Sequence, residues 1–71
     1  MSSTISVYGA EYPVDERNYA LSSLERAIKR YTDDPGMEVV KISEPRPLPR
    51  NLNGREVVGY AAVVDYNRKG K

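Results

Sequence analysis

The chain has 71 residues, no Cys and no His, and a formal net charge of +1 with 30% of its residues charged. This excludes disulfides, thiolate or histidine metal centres and His- or Cys-based catalysis, and a balance so near neutral offers no long-range steering toward nucleic acid. One domain spanning 1–71 is expected, small enough that association with a second chain is its remaining route to extra stability.

The start, Met1-Ser2-Ser3-Thr4-Ile5, lacks the basic and apolar regions of a signal peptide, and no apolar run approaches the roughly 20 residues of a membrane span. A cytoplasmic location is the expectation. Thr4-Ile5-Ser6-Val7-Tyr8 alternates polar and apolar residues and reads as a short strand with Ile5 and Val7 inward. Gly9 and the Tyr12-Pro13 step break it, and Asp15 is the candidate helix N-cap.

Ala20, Leu21, Leu24, Ala27, Ile28 and Tyr31 recur at helical spacing and define one amphipathic helix. Asp34-Pro35-Gly36-Met37 ends it in a turn, read as type II from Pro at the second position and Gly at the third. Residues 38–43 form a second strand, with Val40 and Ile42 as the inward pair and Glu38, Lys41 and Glu44 as charges suited to a sheet edge.

Proline then recurs at every second position in Glu44-Pro45-Arg46-Pro47-Leu48-Pro49-Arg50. This predicts an extended, polyproline-like arm over 44–52 without internal hydrogen bonds, whose spacing of two does not fit a PxxP ligand. Asn53-Gly54 is a strong turn dipeptide launching a third strand over about residues 55–66, and 67–71 reads as a frayed basic tail.

The expected fold is α+β: a single β-α-β-β layer, a three-stranded antiparallel-type sheet in the order 1-3-2, with one helix packed on one face. Val57-Val58-Gly59-Tyr60-Ala61-Ala62-Val63-Val64 is apolar on both faces of any strand it forms, and one helix covers one face only. Because Gly59 and Ala61 are small, the helix is expected over Val57, Gly59, Ala61 and Val63. That leaves Val58, Tyr60, Ala62, Val64 and Tyr66 as an open apolar protein interface, with Arg46, Leu48 and Arg50 of the arm at its rim.

On the outer side of the helix, Tyr19, Arg26, Lys29 and Arg30 form a second candidate, an aromatic beside three cations able to contact nucleic acid. No Gly-rich phosphate loop is present, and Asp33-Asp34 before Pro-Gly reads as a turn former. No catalytic residue, cofactor or metal is therefore expected.

The strand-helix-strand-strand order at this length resembles the dodecins, small flavin-binding proteins that assemble through a curved three-stranded sheet. The resemblance lies in element order across most of the chain. It departs at the flavin site, since dodecins stack the flavin on a Trp and this chain has none. The function expected from the residues is a small non-catalytic protein-binding module: a homo-oligomeric subunit, or an adaptor or inhibitor of a larger protein. A nucleic-acid-binding module is the alternative, and flavin storage follows from the dodecin resemblance alone.

Overall fold

The computed structural model describes residues 2–68, so residues 69–71 of the expected tail lie outside the described residues. The chain is α+β, with one α-helix against an antiparallel sheet of five strands rather than three. These are β1 (Ser2–Tyr8), β2 (Tyr12–Pro13), α1 (Arg17–Thr32), β3 (Met37–Ile42), β4 (Arg46–Leu52) and β5 (Arg55–Arg68). Asn67 and Arg68, expected in the tail, belong to β5.

Every other strand pairs with β5, and none is shown pairing with another. Tyr8 and Arg46 both oppose Ala61, Ile5 and Ile42 both oppose Val64, and Tyr12 and Pro49 both oppose Val58. β5 is therefore central along its length, with β1 and β2 on one flank and β3 and β4 on the other.

The expected polyproline arm is instead a β-strand, paired with β5 from Arg46↔Ala61 to Leu52↔Arg55. Asn53 and Gly54, at φ 54° and 82°, form the two-residue turn between them. Positive φ at both positions is the type I′ geometry whose twist suits a hairpin, and the Asn51 side chain braces it by accepting the Gly54 N–H at 2.9 Å. A proline spacing of two equals the period of a strand. Pro47 and Pro49 oppose Tyr60 and Val58, and the Tyr60 carbonyl points to the other flank, where it accepts the Gly9 N–H at 3.0 Å. The prolines thus occupy positions whose N–H groups would point away from β5, so pairing loses nothing.

At the junction between β3 and β4 the ladder is continued by one residue. Ser43 donates its N–H to the Val63 carbonyl at 2.9 Å, while its hydroxyl accepts the Val63 N–H at 2.8 Å. A bulge between Val39 and Lys41 alters the side-chain alternation of β3. Val39 therefore packs on the core, whereas Val40 and Ile42, the expected inward pair, are exposed.

The helix is entered through a 3₁₀ turn at Val14–Glu16 with no side-chain cap, so Asp15 does not serve as N-cap. Its exit is a type I turn rather than type II. Met37 donates to the Asp34 carbonyl at 3.1 Å, Gly36 donates to the Asp34 carboxylate at 2.8 Å, and Gly36 keeps an ordinary φ.

The core is Val7, Leu24, Ala62 and Val64, with Ile5, Ala27, Ile28, Tyr31, Val39 and Tyr60 packed against it. The helix therefore covers the Tyr60, Ala62 and Val64 face, opposite to the expectation. Register gives the reason: Ile5 and Val7 stand opposite Val64 and Ala62, whereas Thr4, Ser6 and Tyr8 stand opposite Asp65, Val63 and Ala61. The apolar members of β1 thus share a face with Ala62 and Val64, and the helix follows them.

Close approach of the helix is permitted by Gly9 rather than Gly59. A Cβ at Gly9 would lie 2.7 Å from the Leu24 backbone nitrogen, while one at Gly59 would meet the flexible Glu11 side chain at 3.3 Å. Gly9→Ala should therefore cost about 2 kcal/mol or more by overpacking, a fall in Tm on the order of 10 °C. Gly59→Ala should cost less than about 1 kcal/mol, because the Glu11 methylene it meets belongs to a flexible side chain that can shift. Paired thermal melts check the contrast, and equal losses would place the close approach at both glycines.

Candidate binding surface

The residues expected to form an open interface are largely covered. Ala62 and Val64 are 1% and 0% exposed, Val58 is buried, and Tyr60 packs on the core cluster. Tyr66 is partly exposed, in a recess near the helix C-terminus with Tyr31, Met37 and Arg68. The more open face of the sheet is the other one, at Ala61 and Val63, while Gly59 on that face is buried beneath Glu11.

Arg46, Leu48 and Arg50 do lie on this open side, because they oppose Ala61, Gly59 and Val57. On the opposite flank Tyr8 and Ser6 oppose Ala61 and Val63. Together Tyr8, Leu48, Ala61 and Val63, with Arg46 and Ser6 at the margin, enclose a shallow recess of about 210 Å³. Tyr8 is 64% exposed and Leu48 43%, an unusual combination of large apolar groups around a concave centre.

Beside the recess, Glu11 and Arg50 reach toward each other from opposite flanks, with Glu11 Oε2 2.9 Å from Arg50 Nε. Their meeting runs past Gly59, whose missing side chain leaves the space that the Glu11 methylene occupies. The pair marks the end of the apolar recess with charge.

The helix set is divided by the fold. Tyr19 turns its ring to Tyr12, with centroids 5.9 Å apart and planes at 36°, an aromatic contact between α1 and β2. Arg26 and Arg30 line a recess of about 310 Å³ with Tyr8, Ser23 and Ala27, and Lys29 is not among its walls. Tyr19 is thus turned toward β2, while Arg26, Lys29 and Arg30 remain exposed neighbours on the helix. The recess forms a groove between the helix flank and β1.

Sequence reasoning missed Tyr8, Ala61, Val63 and Glu11. The available signal was the polarity of Thr4 and Ser6, which places the solvent side of β1 on the same face as Tyr8. Among the described residues no helix is long and apolar enough to cross a membrane. Comparison of the sequence with protein-family models, with curated proteins and with solved structures finds no match. The functional reading therefore rests on the geometry of this chain.

The Glu11–Arg50 pair tests how far that geometry depends on charge. Its side chains are 35% and 59% exposed, so screening by water leaves it worth under about 1 kcal/mol. Glu11→Gln should shift stability by no more than that in denaturant unfolding, while a larger loss would make the pair a structural clamp across the sheet.

Proposed function

We propose that the chain is a small non-catalytic protein-binding module that works as a homo-oligomeric subunit, through the open face of the sheet. The observation that carries this reading is the recess formed by Tyr8, Leu48, Ala61 and Val63. The absence of His and Cys supports a binding rather than a catalytic role.

A second copy of the chain suits this face in size and charge. The molecule measures 50 × 18 × 18 Å, so its long side offers a footprint of roughly 900 Å², close to the ~800 Å² per partner of a standard interface. By register, Arg46 stands near the middle of the open side and Arg50 and Arg55 toward the hairpin end, with Glu11 beside Arg50, whereas Asp65 and Glu38 lie toward the opposite end. A two-fold axis reversing the strand direction sets Arg55 and Arg50 over the partner's acidic end, where Lys41 is the one cation among the described residues.

Leu48→Asp should reduce a dimer to monomers while leaving the circular dichroism spectrum unchanged, since a charge on an exposed strand costs little until it is buried unpaired. Ala62→Asp, under the helix, should instead unfold the chain. Light scattering at micromolar concentration reads the first, and a monomeric parent chain with a cooperative melt would exclude self-assembly through this face.

A further inference from the structure

We propose that the groove between β1 and α1 is a strand-addition site for an extended, acidic peptide segment of a partner protein. The flanks of β5 end in three different edges. On β4, Pro47 and Pro49 remove the N–H groups that would point outward, so that edge offers few donors. On β3, a bulge and the charges Glu38 and Lys41 interrupt the edge. β1 has neither device: Ser2–Tyr8 pairs without a register shift and carries no charge and no proline.

The direction of its free groups follows from β5. The Tyr60 carbonyl points to the β1 flank, where it accepts the Gly9 N–H, and the Val63 carbonyl points to the β3 flank, where it accepts the Ser43 N–H. By alternation Ala62 and Val64 bond to Val7 and Ile5, so the N–H and C=O of Thr4, Ser6 and Tyr8 are turned outward. They form a ladder half that no described strand completes.

The helix supplies the other wall. Arg26 and Arg30 line the recess beside Tyr8, with Ser23 and Ala27 at its base, and neither arginine forms an ion pair among the described residues. Ser23 is fixed in place by accepting the Ala10 N–H at 2.8 Å, and that bond ties the end of β1 to the helix. An edge strand beside a helix is a geometry that accepts an added strand, main-chain bonds supplying affinity and alternate side chains supplying specificity. Two free guanidinium groups on the helix wall select carboxylates at alternate positions of that strand. A second copy of β1 is disfavoured there, because its uncharged side chains leave both arginines unanswered.

The test pans a library of linear random peptides against the full-length chain, with the selected peptides resynthesised for titration and amide hydrogen exchange. Enriched peptides should carry Asp or Glu at alternating positions and should slow exchange at the Thr4, Ser6 and Tyr8 amides. Ser6→Pro, which removes an outward N–H without touching a bond to β5, should abolish binding. Should the proline disturb folding, Ser6→Glu serves as a second edge variant, and its like charge against an acidic strand should also abolish binding. Arg26→Gln with Arg30→Gln should weaken binding about tenfold or more. Leu48→Asp, on the open face, should leave it intact, which separates this site from the self-association surface. Peptides without acidic residues, unchanged exchange at the three amides, or binding that survives Ser6→Pro would overturn the proposal. Concentration-dependent protection of those amides in the chain alone would also overturn it, by placing a second copy at the edge. So would an oligothymidylate that binds both Ser6 variants but not the arginine double variant, by placing nucleic acid on the helix.

Discussion

Each strand pairing in the described sheet is made to β5, and the rest of the structure follows from its length. Fourteen residues of extended chain reach about 46 Å, in keeping with the 50 Å long axis, while the sixteen residues of α1 span only about 24 Å. One helix of that length covers half of one face. The covered half contains the core, with Leu24 over Ala62 and Val64. The hairpin end of β4, exposed at every residue, and the whole opposite face lie beyond its reach.

The devices along the flanks make sense in that light. A long central strand needs partners over its full length, and short segments supply them piecewise. β1 and β2 are joined by a three-residue excursion through Gly9, Ala10 and Glu11. That excursion brings Gly9 against the helix, hands the Ala10 N–H to Ser23, and places Glu11 over Gly59. A single local irregularity therefore fixes the helix height on one face and a charge pair on the other. On the opposite flank, Ser43 provides both partners of Val63 where β3 passes into β4.

Much of this was legible in the sequence, and the failures have identifiable physical causes. The helix was marked by its apolar spacing, the first strand by alternation and the hairpin turn by Asn53-Gly54. Alternate prolines read as a polyproline-like arm because they favour extended chain, yet a spacing of two leaves each inward N–H of an edge strand intact, so the arm pairs as a strand. The covered face was misassigned because β5 is apolar on both sides and carries no parity signal of its own. The decision sits in β1, where Ile5 and Val7 align with Val64 and Ala62 while Thr4 and Ser6 align with Asp65 and Val63. Small residues on β5 suggested close helix approach, but the residue that permits it is Gly9, and nothing short of the pairing register places Gly9 against Leu24. Arg46, Leu48 and Arg50, expected at the rim of the Tyr60 face, stand instead on the opposite face, because they oppose Ala61, Gly59 and Val57.

The thinness of the core and the openness of the surfaces are two consequences of the same geometry. Among the described residues, Leu24 and Val64 are the only larger side chains that are fully buried. Each such burial contributes about 1.5–3 kcal/mol, against a backbone ordering cost of about 1–2 kcal/mol for every residue fixed. A second layer against the recess of Tyr8, Leu48, Ala61 and Val63 would bury apolar groups that the helix cannot reach. A strand added at β1 would complete a ladder half whose bonds are otherwise made to water. In both cases the occupant supplies contacts to the native chain that the unfolded chain lacks, so binding and stability are linked by mass action. A chain built on one long strand and one short helix thus keeps its open surfaces where its own secondary structure runs out.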